Sequence, residues 1–253
     1  LEYMLNDQLA GQAGKTVYQR AEDGSSIPGS EKVIVQAVAG QDVVLTIDSS
    51  LQYLTERILI KQVTALKAKG ATPIIMYPTT GNLLVAASVV FDPETGLAHV
   101  NSANAAVTEI AEPGSVAKVV TTAGAIDAGT VTPNTYFEVP YEKKFYDETL
   151  QDAAPHATES MSVGKIFAKS SNIGTIFISQ SMGAQNQEYY MRQFGFGSKT
   201  SLNFRGESAG ILKPFDQWQG VENVTVAYGQ GVATTSMQLI SAVNVIANGG
   251  VYV

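Results

Sequence analysis

The feature that most constrains the fold is a pair of long apolar segments in the second half of the chain. Residues 160–183 and 232–250 carry apolar side chains at helical spacing, and the second segment ends in two glycines. Helices this apolar are stable only when other elements cover them. Strand-like patterns lie mainly in the first half, so strands come first and helices cluster later. This order predicts an α+β fold.

The first 40 residues are polar and rich in turns. Apolar and polar side chains alternate over 15–20 and 32–38, which predicts two strands joined through a turn at Asp23 and Gly24. We interpret this part of the chain as an accessory β element that precedes the main domain.

The first part of the main domain carries sequence signals for a strand and for the start of a helix. Residues 42–47 predict a strand, and Asp48 is placed to cap a helix that follows it. Residues 72–88 predict a hairpin whose strands are apolar on both faces, which indicates a sheet covered by helices. We expect loops over 89–111 and over the polar segment 130–157.

Composition excludes several classes of protein. The chain has 16 Lys and Arg against 23 Asp and Glu, a net charge of −7, so no basic face for nucleic acid is indicated. It has no cysteine, which excludes disulfides and thiol catalysis, and only two histidines. It has no apolar run long enough to cross a membrane. It begins at Leu1 and stops at Val253 within a strand-like run, so we expect a piece of a longer protein.

Ser115 and Lys118 follow a Pro-Gly break and precede an apolar run, which predicts a helix from about Ser115 to Gly129. In its first turn the Ser hydroxyl and the Lys amine share a face. The helix N-terminus disfavours a cation, so we expect a lowered Lys118 pKa and a neutral amine available as a base. Ser115 is then a candidate nucleophile. The alternative is a simple helix cap beside a solvated lysine.

A second polar group, Ser170, Ser171 and Asn172, interrupts the apolar segment 160–183. Ser and Asn favour helix starts, so a capping site at a helix junction is one interpretation. The other is a second hydroxyl close to the nucleophile, with an amide that holds the substrate or the lysine. The segment by itself favours neither.

Ser-x-x-Lys at 115–118 followed by Ser-x-Asn at 170–172 is a motif pair that penicillin-binding proteins share with β-lactamases. The segments around these motifs, in order and spacing, resemble the transpeptidase domain of class B penicillin-binding proteins, especially the division-type members: 101–118, 158–175, 194–202 and 226–250. The resemblance covers 41–253, and 1–40 looks like the end of an N-terminal pedestal module. It implies the penicillin-binding fold, an antiparallel sheet flanked by helices.

The resemblance also implies a mechanism. Ser115 would attack the penultimate D-Ala of a peptidoglycan stem peptide, and Lys118 would accept its proton. Ser170 would relay protons, Asn172 would bind the substrate amide and steady Lys118, and Ser171 would also contact substrate. An amine of a second stem peptide would then resolve the acyl-enzyme and form the crosslink. The chemistry needs no metal and no cofactor.

Partners and location follow from the same resemblance. The implied partners are D-Ala-D-Ala stem peptides, β-lactam antibiotics, cell-division proteins and a glycosyltransferase. The implied location is the outer face of a bacterial membrane, with a single-pass anchor outside this chain. The family's third motif, Lys-Thr-Gly on an edge strand, is missing, and we expect the C-terminal strands to be missing with it. Two alternatives stay open: a non-catalytic scaffold of the division complex, and a β-lactam sensor or β-lactamase.

Overall fold

The computed structural model describes residues 2–202 and 204–253. The chain divides into two compact units, Leu1–Thr46 and Ile47–Val253. The larger unit carries every candidate site residue.

The first unit contains a short helix and a two-stranded antiparallel sheet. These elements are α1 (Asn6–Leu9), β1 (Lys15–Val17) and β2 (Lys32–Val35). The pairing confirms the two predicted strands, although both are shorter than the alternating pattern. That 1–40 ends a pedestal module stays a prediction.

The strand predicted over 42–47 is wrong. No strand pairing is formed there among the described residues, and Val44 is 94% exposed. A strand needs a neighbouring edge for its backbone groups, and an alternating pattern alone does not supply one. Asp48 does cap the following helix as predicted, because its carboxylate accepts the N–H of Leu51 at 2.9 Å.

The second unit opens with a long helix on a small antiparallel sheet. The helix α2 (Ser49–Leu66) buries Val63 against Val89 and Ala98. The strands here are β3 (Gly70–Ala71), β4 (Ile74–Met76), β5 (Leu83–Ala86), β6 (Val89–Asp92) and β7 (Leu97–Val100). The sheet has the order β3-β6-β7, and the predicted hairpin over 72–88 is confirmed as the pair β4-β5.

The two segments expected to be loops contain paired strands, so those predictions are wrong. In the first, β6 and β7 form a hairpin whose turn is fixed by Asp92, which accepts the N–H of Glu94 at 2.8 Å. The further elements are α3 (Ala105–Thr108), β8 (Ile110–Ala111), β9 (Tyr136–Val139), β10 (Glu142–Phe145), β11 (Glu148–Gln151) and β12 (Glu159–Ser162). Within the second segment, β10 and β11 form an antiparallel hairpin, and β9 pairs with β12, which lies just after the segment.

Helices dominate the rest of the unit, which confirms the α+β class. A 3-10 turn over Gly114–Ala117 leads into the first of them, α4. Further 3-10 turns span Phe215–Gln217 and Val226–Tyr228. The helices are α4 (Lys118–Asp127), α5 (Val163–Lys169), α6 (Asn172–Met182), α7 (Ala184–Gln193), α8 (Glu222–Thr225) and α9 (Ser236–Ala247), and β13 (Thr234–Thr235) pairs with β8.

The core lies where α5 and α6 meet. Ile166, Ile173 and Ile176 are completely buried together with Met161. The helices approach closely because Gly174 has no side chain: a Cβ there would lie 2.6 Å from Cγ2 of Ile166. Across residues 2–202 and 204–253, no helix has both the length and the apolarity that crossing a membrane requires.

Candidate active site

Ser115 and Lys118 lie on the turn that starts α4, as the sequence predicts. Ser115 is within the 3-10 turn and is exposed, whereas Lys118 is the first residue of α4 and is only 2% exposed. The strand that enters this turn is anchored, because Ile110 and Ala111 pair with Thr235 and Thr234. This turn therefore carries an accessible hydroxyl three residues before a buried amine.

The Lys118 amine is held by the second polar motif. Its Nζ lies 2.5 Å from the backbone carbonyl oxygen of Ser170, 3.1 Å from the Ser170 Oγ and 2.7 Å from the Asn172 Oδ1. The ring centroid of Tyr228 lies 5.9 Å away. The structure therefore brings Lys118, Ser170 and Asn172 together. The Ser115 hydroxyl makes no hydrogen bond within the described part of the chain.

The junction of α5 and α6 explains how one motif supplies three acceptors. Ser170 ends α5 in the left-handed conformation, with φ of 54°, so its carbonyl and its side chain both reach Lys118. Non-glycine residues in this conformation carry strain and are common at functional sites. Asn172 is fixed at its other end, because its Nδ2 donates to the Gln151 carbonyl at 2.9 Å.

Ser171 has a different position from the other two. It is 2% exposed, and its hydroxyl caps α6 by accepting the N–H of Gly174 at 2.9 Å while donating to Asp152 at 2.7 Å. A hydroxyl engaged in this way is not presented to a substrate, so the predicted substrate contact of Ser171 has no support from its geometry.

Burial lowers the pKa of Lys118 to about 8, and the nearby Asp152 carboxylate opposes this shift. The predicted direction is confirmed, but its cause differs from the expected helix N-terminus. The amine is withdrawn from water, which disfavours its charged form. A substantial fraction of Lys118 is therefore neutral near pH 8 and able to accept a proton.

The turn after α8 fixes the segment that carries Ser115. The N–H of Gly114 donates to the carbonyl of Gly229 at 3.2 Å, and the N–H of Gly231 donates to the Glu112 carboxylate at 2.9 Å. Gly229 has φ of 84°, and a Cβ there would lie 2.3 Å from the Gly114 oxygen. Glu112 therefore has a structural role beside the turn that carries Ser115.

Asp152 is the residue of this site that the sequence analysis missed. It is 7% exposed and lies between the candidate motif and His156, whose Nε2 is 3.1 Å from its Oδ2. A single Asp in a segment expected to be a loop gave no signal in the sequence. His156 is hydrogen bonded and half-buried beside this carboxylate.

A cavity of about 600 Å³ lies elsewhere, between α4, α7 and the end of α9. Tyr189, Tyr190 and Phe194 line it together with apolar residues of α9. None of the four candidate catalytic residues lines this cavity, so we do not assign it to the site.

The family profile described as the penicillin-binding protein transpeptidase domain matches residues 71–253. The chain belongs to this family. The penicillin-binding domain therefore has the fold that the two motifs implied.

The names of two relatives agree with this family assignment. The chain is 35% identical to penicillin-binding protein PbpB of Mycolicibacterium smegmatis over 100% of this chain and 40% of that protein. It is 32% identical to the Neisseria flavescens protein named "Probable peptidoglycan D,D-transpeptidase PenA" over 99% of this chain and 63% of that one. The chain thus spans less than two thirds of the length of these relatives.

A solved structure shows the same fold. Penicillin-binding protein 3 from Mycobacterium tuberculosis, crystallised with aztreonam, superimposes with a TM-score of 0.79 at 29% identity. The match covers 98% of this chain and 58% of that one. Because both units lie within the matched length, the similarity extends beyond the residues that carry the motifs.

Proposed function

We propose that the chain is the acylating part of a serine D,D-transpeptidase that crosslinks peptidoglycan stem peptides. The observation that carries this proposal is the buried Lys118 amine, held between Ser170 and Asn172 and directly after the exposed Ser115 turn. A scaffold has no use for a lysine that is desolvated and lowered in pKa at such a place.

Acylation is the first proposed step. The Ser115 Oγ attacks the carbonyl carbon of the penultimate D-Ala, and neutral Lys118 takes the hydroxyl proton. The tetrahedral oxyanion is stabilised by backbone N–H groups of the turn over Gly114–Ala117, where the helix begins. Collapse breaks the peptide bond, and the nitrogen of the terminal D-Ala leaves with a proton relayed from Lys118 through the Ser170 hydroxyl.

Crosslinking is the second proposed step. The amine of another stem peptide attacks the ester carbonyl, loses a proton through Ser170 to Lys118, and forms the new amide. Lys118 gives this proton to the Ser115 oxygen as the ester bond breaks, and the enzyme returns to its starting state. The Asn172 amide steadies Lys118 through its oxygen in the free protein, and we propose that it also binds the substrate amide in the complex.

β-Lactams are proposed inhibitors because they would form the same ester with Ser115. The amide nitrogen released by ring opening would stay attached to the acyl group and would not leave the site. The aztreonam complex of the related mycobacterial protein supports this inference. Division proteins and a glycosyltransferase as partners, and a place on the outer face of a membrane, are likewise proposals that rest on family membership.

The test is intact-mass spectrometry after incubation with a penicillin. We expect one long-lived adduct that is lost in Ser115→Ala and kept in Ser102→Ala, a matched change of an exposed serine outside the site. Rapid loss of the adduct with release of hydrolysed drug would indicate a β-lactamase. Absence of any adduct would favour the scaffold.

A further inference from the structure

We propose that Asp152 is a positioning residue: its buried carboxylate fixes the α5–α6 junction, and through it the groups that hold the Lys118 amine. This inference rests on the proposed function, because it assigns a residue to the site at which acylation occurs. Asp152 touches neither the Lys118 amine nor the Ser115 hydroxyl by a hydrogen bond within the described residues.

The carboxylate contacts the residues on either side of Asn172. Its Oδ2 accepts the Ser171 hydroxyl at 2.7 Å, and its Oδ1 accepts the backbone N–H of Ile173 at 3.0 Å. Asn172 lies between these two residues, and Ser170 directly precedes them. One side chain therefore helps to determine where Ser170 and Asn172, the two residues that hold the Lys118 amine, point.

These contacts of Asp152 clamp the α5–α6 junction, and the preceding strand β11 adds a further contact. The carbonyl of Gln151, the last residue of β11, accepts the Asn172 side-chain Nδ2 at 2.9 Å. The N–H of Asp152 donates to the Tyr141 carbonyl at 2.9 Å, which ties the position of its backbone to the base of the β10-β11 hairpin. The junction is thus held by Gln151 and Asp152, two consecutive residues at the end of the β10-β11 hairpin.

The junction needs such a clamp because its backbone is strained. Ser170 adopts a left-handed conformation without being glycine, and that conformation aims its carbonyl and hydroxyl at Lys118. Strained residues persist only where their surroundings over-determine them. A carboxylate at the N-terminus of the 11-residue helix α6 is favourable, so Asp suits this place better than its neutral isostere.

Charge gives the carboxylate a second effect on the site. Asp152 favours the protonated form of Lys118, which partly offsets the effect of burial. Removing the charge while keeping the shape should therefore lower the pKa of Lys118 further. The charged and titratable groups that interact with Asp152 are Lys118 on α4 and His156 in the following loop. Lys169 on α5 in turn interacts with His156, and Glu148 on β11 interacts with Tyr228, whose ring lies 5.9 Å from the Lys118 Nζ.

Two variants separate position from charge. Asp152→Asn removes the charge, and Ser171→Ala removes one clamp contact while leaving the charge in place. Asp127→Asn is the matched control, since Asp127 also accepts one hydroxyl, from Tyr190 at 2.7 Å, at the far end of α4. The full-length protein is acylated with a penicillin across a pH series, and the Lys118 pKa is followed by NMR of lysine-labelled protein.

The expected pattern differs among the three variants. Asp152→Asn lowers the maximal acylation rate on the order of 100-fold, as small misplacements of catalytic groups do. It also moves the acid limb, the low-pH part of the profile in which the rate falls as Lys118 is protonated, to lower pH. Ser171→Ala lowers the maximal rate and leaves the acid limb where it is. Asp127→Asn changes neither. The proposal would be overturned if Asp152→Asn kept both the wild-type maximal acylation rate and the wild-type position of the acid limb. If Asp152→Asn does not fold, a wild-type maximal acylation rate in Ser171→Ala would overturn it.

Failure of the proposed function gives a different result. The wild-type protein would then form no adduct, or for a β-lactamase only a short-lived one, whatever residue stands at 152. The NMR titration still decides the inference in that case, because an unchanged Lys118 pKa in Asp152→Asn would refute the link between the two residues. Loss of the Lys118 signal in Lys118→Met assigns the resonance.

Discussion

The N–H of Gly114 donates to the carbonyl of Gly229, so the residue before Ser115 is held by a turn from a distant part of the chain. The two backbones meet without any intervening side chain. Gly229 adopts φ of 84°, a conformation that residues with a Cβ rarely take, and the space a Cβ would need is filled by Gly114 and Ala117.

Gly229→Ala should therefore both destabilise the domain and slow acylation. The strain and the clash with Gly114 predict a loss of about 2 kcal/mol or more in the free energy of unfolding. Denaturant unfolding and penicillin acylation rates measure the two effects. Gly220→Ala is the matched control, because Gly220 has φ of 52° with open space around it. Equal effects of the two changes would contradict the importance of the close approach.

The acylation rate should rise with pH and reach half of its maximum near the pKa of Lys118, about 8. The neutral amine is the form that accepts the Ser115 proton, and protonation below this pH removes it. The rate should fall about tenfold for each pH unit well below this value. Stopped-flow acylation with a fluorescent penicillin gives the profile, and a melting temperature at each pH controls for unfolding. A rate independent of pH down to about pH 6 would exclude Lys118 as the base.

His156 should stabilise the fold mainly at acidic pH. Its pKa is raised because the Ala157 carbonyl and then the Asp152 carboxylate accept from its ring nitrogens, which favours the charged form. Since the folded pKa lies above the unfolded one, the stabilisation is complete below about pH 6.5 and is lost as pH rises through the folded value. The difference in unfolding free energy between wild type and His156→Gln should be larger at acidic than at alkaline pH.

The same measurement in an Asp152→Asn background tests the cause of that pH dependence. The pH-dependent difference should shrink there without vanishing, because the Ala157 carbonyl remains. A difference that is identical in both backgrounds would show that the carboxylate does not contribute.

Gln238→Leu should destabilise the domain by about 3 kcal/mol or more. The Gln238 side chain is completely buried in α9 and donates to the carbonyls of Ser198 and Ala209 at 2.7 and 2.8 Å. It also accepts the N–H of Thr235, which completes a capping box. Leucine has a similar volume and leaves these groups unpaired in the interior. Gln180→Leu, an exposed change on α6, should shift the unfolding midpoint little.

Local signals in the sequence predicted the parts of the site that depend on local chemistry. The Pro-Gly break and the polar motif at 170–172 marked two helix starts, because caps and breakers act within a few residues. The structure places α4 and the α5–α6 junction there. The same motifs carried the resemblance to the family.

The parts that the sequence did not predict depend on non-local pairing. The ladder β12-β9 joins a strand inside the segment expected to be a loop to a strand just after it, and neither strand's own sequence identifies its partner. The segment 42–47 shows the reverse, since its strand-like pattern finds no pairing. Asp152 was missed for the same reason: its role appears only when Ser171 and Ile173 are brought to it.

The bond between Glu112 and Gly231 joins positions 119 residues apart. A ribosome adds the residues between them in on the order of ten seconds. During that interval a nascent chain already contains Ser115 and Lys118, but it lacks the turn at Gly229 that holds them in place. Reactivity toward a β-lactam should therefore arise only after the segment through Gly231 has been made and has folded onto the turn that carries Ser115.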